Sequence, residues 1–185
     1  MKILVVIEHD NSEIKQSSLS TITAASQIGE NIEAIILGKE LSVVLDKLKK
    51  ADHLKKIHYL DDECFKNPIA EDVCKLILKF IEGKNFSHIF SPSTTFGKNM
   101  SPKLAASLDV QQISDITKIV SNDTFERPIY AGNAIAKVKS TDSIKVVTIR
   151  PTCFEPCSNN SETDVEKIDI NEDKNALVNF VRYDQ

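Results

Sequence analysis

The chain has 185 residues, enough for one domain of ordinary size with a tail. Hydrophobic residues make up 41% and charged residues 27%, a balance that argues against an intrinsically disordered chain. The formal net charge of -4 argues against nucleic acid as the main partner, and no run approaches the roughly 18 apolar residues of a membrane span.

Charge is unevenly spread. Residues 1–150 carry 20 basic and 19 acidic side chains, whereas residues 151–185 carry 3 and 8. The body is near neutral and the tail acidic.

Residues 3–7 form a continuous apolar run, mostly β-branched, which predicts a strand covered on both faces. The run is too short for a signal peptide and meets Glu8 and His9 at once, so the default location is the cytoplasm. Leu19, Ile22, Ala25 and Ile28 recur every three residues before Gly29, a helix with a glycine stop. Residues 32–37 predict a second strand closed by Gly38. Leu41, Val44, Leu45, Leu48 and Ala51 predict a second amphipathic helix, and residues 57–60 a short third strand. Asn67-Pro68 predicts a helix start, with Asn as cap and Pro in the first turn. Ile69, Val73, Leu76, Ile77 and Phe80 form its buried face and Gly83 its end. Residues 88–90 open a fourth strand, residues 91–99 a polar loop, and Met100, Leu104, Ala105 and Leu108 mark the inward face of a fourth helix.

This fourfold alternation predicts a three-layer α/β sandwich with a mainly parallel sheet, Rossmann-like in type. Residues 113–120, 128–138 and 144–149 read as three strands, with turn signals at Asn122-Asp123 and Thr141-Asp142. They are expected to extend one side of the sheet antiparallel. Residues 1–156 are expected to form the α/β domain. Residues 157–185 are expected to form an acidic segment, with a flexible linker at 158–163, an edge strand at 165–170 and an apolar stretch at 176–181.

Ligands of such sheets bind beyond the carboxyl ends of the strands. The loop after the fourth strand brings Ser93, Thr94 and Thr95 hydroxyls, Gly97 and the cationic Lys98, with Asn99 behind them, to a helix amino end. These are the parts of a phosphate seat, but a single glycine is not a glycine-rich loop, and a helix-capping turn uses the same residues. A second candidate is the stretch from Arg127 through Tyr130, Gly132 and Asn133, where glycine interrupts a strand. That pattern predicts a bulge or a close backbone approach, either with Tyr130 and Arg127 facing a ligand or partner or as a structural bulge with Tyr130 in the core. Glu8, His9 and Asp10 end the first strand and form a polar rim, and Asp115 stands at a strand entrance, placed to orient a turn or pair with a lysine. His9, His53, His58 and His88 lack metal-type spacing. Cys64, Cys74, Cys153 and Cys157 include no C-x-x-C pair; a Cys153–Cys157 disulfide is conceivable, but reduced thiols are the simpler reading. No catalytic triad, carboxylate pair or H-E-x-x-H motif is recognisable, so no catalytic residue is expected.

Several strings together carry a family resemblance. They are Ile7-Glu8-His9, Thr21-Ile22-Thr23-Ala24-Ala25, Phe96-Gly97-Lys98-Asn99, Ile113-Ser114-Asp115-Ile116, the run from Thr124 through Tyr130-Ala131-Gly132-Asn133-Ala134, and the residues around Arg150. In this order and spacing, over residues 1–156, the sequence resembles the amino-terminal half of the alpha subunit of electron transfer flavoproteins. The resemblance implies an adenine-nucleotide-hydrolase-like fold and a heterodimer with a beta subunit. It also implies FAD, carrying electrons from acyl-CoA and related dehydrogenases to a membrane quinone oxidoreductase. Such a carrier subunit is not an enzyme. In the family a second, carboxy-terminal alpha domain makes most FAD contacts. Its glycine-rich strings are absent here, so the chain is expected to be a truncated piece that does not hold FAD by itself. Gly97, Lys98, Asn99, Tyr130, Gly132 and Asn133 are then expected at the cleft or the subunit interface. The alternative expectation is a stand-alone adenine-nucleotide-binding module.

Overall fold

The computed structural model describes residues 1–170, Val178 and residues 180–182. Ten strands and four α-helices follow one another among them. The first part alternates regularly: β1 (Ile3–Val6), α1 (Gln16–Ser26), β2 (Ile32–Gly38), α2 (Ser42–Leu48), β3 (Leu54–Asp61), α3 (Ala70–Ile81), β4 (His88–Pro92) and α4 (Thr95–Ser107). Then come β5 (Gln112–Ile116), β6 (Lys118–Ile119), β7 (Thr124–Ile129), β8 (Ala134–Lys139), β9 (Lys145–Ile149) and β10 (Val165–Lys167).

Seven strands form one sheet in the order β10-β3-β2-β1-β4-β9-β5, and every pairing in it is parallel. The period of two along β1 divides the core. Ile3 and Val5 pack with Ile22 of α1 and with Val44 and Leu48 of α2. Leu4 and Val6 pack on the other face with Val73, Ile77 and Phe80 of α3 and with Met100 and Leu104 of α4. This is the expected three-layer sandwich, and it explains why β1 is apolar without alternation.

Four details differ from the sequence reading. First, the antiparallel strands do not extend the main sheet; β6, β7 and β8 form a sheet of their own. The expected strand 113–120 is split between β5 and β6, and β9 inserts in parallel between β4 and β5. The physical reason lies in the patterns. Val146, Val147, Thr148 and Ile149 are all buried and need cover on both faces, whereas β8 alternates half-buried and exposed residues, as a one-faced antiparallel strand does. Second, α3 starts at Ala70, with Ile69 as a cap lacking a side-chain bond, two residues after the expected Asn67-Pro68 start. Third, α4 starts already at Thr95, so most of the expected polar loop is helix. Fourth, residues 158–163 are fastened to the end of α2 and beyond: Asp52 N–H donates to the Ser158 carbonyl (2.8 Å), Ser161 N–H to Lys50 (3.0 Å) and Thr163 N–H to Lys49 (2.9 Å).

The expected edge strand is present as β10, three residues long, beside β3. Glu166 holds it from the side through Lys56 (2.9 Å) and His58 Nδ1 (3.1 Å). Of residues 176–181, three (176, 177 and 179) lie outside the described residues. All four cysteines are free thiols, and burial pushes Cys74 and Cys157 up to about 11. Among the described residues no helix is long and apolar enough to cross a membrane.

Candidate functional site: the switch-point cleft and the β7–β8 hairpin

The chain leaves β1 toward β2 on one side and returns to β4 on the other. At such a point the loops diverge and open a crevice beyond the carboxyl ends of the strands. A cleft of about 890 Å³ lies there, within the size range of small-molecule sites. It is lined by the end of β1, the first turn of α3 and the first turn of α4, and Val178 and Phe180 lie against it.

Glu8 is the deepest charged group in this cleft, 7% exposed. Its backbone is fixed by bonds to the start of α1: Glu8 N–H donates to Ser18 Oγ (2.8 Å), and Lys15 N–H donates to the Glu8 carbonyl (3.0 Å). Thr94 joins its carboxylate to the helix end. The Thr94 hydroxyl donates to Glu8 Oε1 (2.5 Å) and accepts from Gly97 N–H (3.0 Å), which caps α4. Glu8 Oε2 is buried without a hydrogen-bond partner among the described residues; Lys15 Nζ stands 3.7 Å away, too far for a hydrogen bond. Burial pushes the Glu8 carboxyl up from its ordinary value, against Thr94 and Lys15. Beside it, His9 Nε2–H donates to the Leu37 carbonyl (2.9 Å) and Nδ1 accepts from Asn11 N–H (3.1 Å). Burial pushes this imidazole down, opposed by the Leu37 bond. Gly38 makes the room, since a Cβ there would stand 2.7 Å from His9 Cε1.

The structure divides the residues singled out from sequence between two places. Thr94, Thr95, Phe96 and Asn99 line the cleft. Gly97 is buried at the root of α4, where a Cβ would come within 1.9 Å of the Pro92 carbonyl oxygen. Its absence of a side chain is therefore needed for packing α4 against β4. Lys98 is exposed and is not among the lining residues; its charge acts on Asp115 instead. Asp115 sits at the irregular end of β5 with a φ of 58°. It pairs with Arg150, not with a lysine, through Nη2 and Nε (3.2 Å to Oδ2). Burial works against it, yet the guanidinium holds the Asp115 carboxyl below its usual range. Ser93 N–H ties the loop to the Ile149 carbonyl (2.8 Å).

Tyr130, Gly132 and Asn133 do not line the cleft. They form the tip of the β7–β8 hairpin, not a bulge in one long strand, and Tyr130 is 79% exposed, not in the core. Tyr130, Ala131 and Gly132 all have positive φ (50°, 54° and 94°). Ile135, on the strand that follows, is 59% exposed. Arg127 is half-buried on β7 opposite Ala136, and its Nε finds no partner among the described residues. The Glu8–Thr94 junction went unread in the sequence because 86 residues separate its ends; the only local signal was a polar residue closing an apolar strand. Among the described residues no cluster of three or more His, Cys, Asp or Glu is placed to hold a metal ion.

A family model described as electron transfer flavoprotein domain matches residues 3–173. The chain belongs to the electron transfer flavoprotein family. Its relatives are alpha subunits. The electron transfer flavoprotein subunit alpha of Pseudomonas aeruginosa is 43% identical over 155 residues, covering 84% of this chain and 50% of the relative. The mitochondrial alpha subunit of Dictyostelium discoideum is 44% identical over 158 residues, 82% of this chain and 44% of the relative. A probable mitochondrial alpha subunit of Caenorhabditis elegans is 38% identical over 178 residues, 96% and 54%. The chain thus spans about half the length of the curated relatives it matches. For a flavoprotein the cleft invites a test against the flavin dinucleotide. A pyrophosphate needs free backbone N–H groups or cations at the helix end. Here a carboxylate stands there, bonded through the capping threonine. The Glu8 carboxylate weighs against a pyrophosphate at this helix end, while Lys15 and Lys66 also line the cleft.

Proposed function

We propose that this chain is the scaffold domain of an electron transfer flavoprotein alpha subunit, docking a beta subunit while FAD is gripped chiefly by other protein. The parent heterodimer would carry electrons from acyl-CoA and related dehydrogenases to a membrane quinone oxidoreductase, in the cytoplasm of a bacterium. The domain itself would orient the partner and perform no acid–base step, since redox chemistry belongs to the flavin.

The observation that carries this reading is the hairpin tip. Tyr130 at the tip and Ile135 on β8 expose large apolar side chains. The hairpin tip holds two non-glycine residues, Tyr130 and Ala131, in the left-handed region, a conformation that costs about 1–3 kcal/mol per residue and persists where the surroundings or a partner use it. Aromatic side chains presented this way are the usual anchors of protein interfaces. The Glu8 carboxylate, which weighs against a pyrophosphate at the end of α4, supports the second half of the reading.

The experiment is co-expression of the chain with its cognate beta subunit, with and without the remainder of the alpha subunit. A complex should form in both cases, with stoichiometric flavin only when the remainder is present. Stoichiometric flavin on the isolated chain would refute the assignment of the flavin to other protein. No complex with beta in either case would refute the docking role.

A further inference from the structure

The switch-point cleft opens between the end of β1 and the first turns of α3 and α4, and Val6, Ile35, Leu37, Val73 and Phe96 give it apolar walls. Walls of this kind gain from being covered. Two of the four described residues beyond Ile170 lie against them, Val178 and Phe180. These two are 41% and 40% exposed, whereas Val181, the next residue, is 86% exposed and does not line the cleft. Cover therefore follows contact with the cleft. The route also fits the chain. Ile168 is buried, and Ile170 packs, in the same apolar cluster as Val6, Ile35, Leu37 and Val73, so the chain leaving β10 already lies on the face of the sheet that leads to the cleft. From β10 to β1 there are three strand spacings, about 14 Å. The eight residues from Ile170 to Val178 can span up to about 28 Å. The tail thus reaches the cleft of its own sheet without a second copy.

We infer that the switch-point cleft is the docking seat of the chain's own carboxy-terminal apolar segment, with Val178 and Phe180 as its anchors. Seated there, the segment straps the starts of α3 and α4 together at the open end of the sheet. It takes the space that a small ligand of such a fold would use.

The chain contains no tryptophan, so Phe180→Trp and Val181→Trp each place a single indole reporter on the segment. Acrylamide should quench the fluorescence of Phe180→Trp about half as strongly as that of Val181→Trp, following the exposures of 40% and 86% at the two positions. The difference should persist on dilution and vanish in denaturant. In a second measurement, Phe180→Asp should move the amide resonances of Val6, Ile69 and Phe96, and Val181→Asp should leave them in place. The inference falls if the two tryptophan variants are quenched alike in the folded chain, or if a folded Phe180→Asp chain keeps the cleft amides where they were. A quenching difference that fades on dilution would assign the seat to the tail of a second copy and overturn the intrachain reading. Adenosine that shifts the cleft amides equally in the unsubstituted chain and in Phe180→Asp would show the cleft open to a free ligand, and would overturn it too. The quenching comparison decides the matter by itself should Phe180→Asp fail to fold. None of these readouts involves the beta subunit or flavin content, so this inference and the docking role can fail separately.

Discussion

Gly97 shows how one residue sets the geometry of both α4 and the cleft. Its missing Cβ lets the helix root approach the Pro92 carbonyl. A methyl group there cannot be absorbed by a side-chain rotation, because the obstacle is backbone. Gly97→Ala should therefore destabilise the fold by about 3 kcal/mol or more. Gly132→Ala, which meets nothing within 4 Å but keeps a φ of 94°, should cost only about 1 kcal/mol. Chemical denaturation of the two variants side by side checks the contrast, and equal losses would refute it. The buried imidazoles make a second residue-scale prediction. Burial pushes His9, His58 and His88 all below the ordinary value, about 6.5 in an unfolded chain. On acidification the unfolded chain takes up protons first, so their contribution is present above about pH 6.5 and is lost as pH falls through the folded values. Protonating His9 Nδ1 would also remove the acceptor of the Asn11 amide. Glu8, shifted upward, titrates with the opposite sign. The melting temperature of His9→Gln should therefore fall less steeply than that of the unsubstituted chain between about pH 7 and about pH 5.5. Parallel curves would remove this role for His9.

At the scale of elements, β10 is held by little backbone. Three residue pairs and the Ile168 N–H bond to Tyr59 (2.8 Å) join it to β3. The side chain of Glu166 adds two contacts, to Lys56 and to His58, while His58 Nε2 meets Glu33 on the next strand (2.8 Å). This chain of groups runs across three strands, β2, β3 and β10. Exposed ion pairs contribute little, about 0–1 kcal/mol, so Glu166→Gln should loosen the edge without unfolding the sheet. Hydrogen exchange at the Ile168 amide should accelerate by up to about fivefold, with the global denaturation midpoint unchanged. If exchange there stays as slow as before, the ladder alone holds the strand. The β7–β8 hairpin is the contrasting element, with a regular six-pair register from Thr124 to Ile129 and an irregular, exposed tip. Strand position separates structural duty near Phe125, which is fully buried, from surface duty at Tyr130.

For the whole molecule, the proposed role divides the work spatially. The parallel sheet and its helices supply rigidity and frame the cleft, and the small sheet presents the docking tip. A Tyr130→Asp/Ile135→Asp double variant should keep its melting temperature, because both side chains are exposed. It should lose about 100-fold or more in affinity for the beta subunit, the scale of removing a central interface anchor. Analytical size exclusion of mixed subunits gives the readout, and an undiminished heterodimer would place the interface elsewhere.

The layered architecture was legible in the sequence because it follows from local periodicities. The unbroken apolar run at β1 and the largely apolar stretches at β2 and β4, interrupted by Glu33, His88 and Ser91, require cover on both faces, and the three-to-four-residue spacings of α1 to α4 provide it. The nature of residue 8 as a polar stop to a buried strand was legible as well. The destination of the last three predicted strands was not. Local pattern states how many faces of a strand are buried, but not which neighbour lies beside it, so the insertion of β9 between β4 and β5 and the separate β6–β8 sheet were decided only by packing. The same holds for the cleft. Glu8, Thr94 and Gly97 meet because β1 and β4 are adjacent in the sheet, and a burial that shifts a carboxyl or an imidazole is created by contacts distant in the chain. Sequence by itself determined the layers and their order of appearance; tertiary structure decided which residues face one another, because strand adjacency and desolvation are properties of the assembled fold.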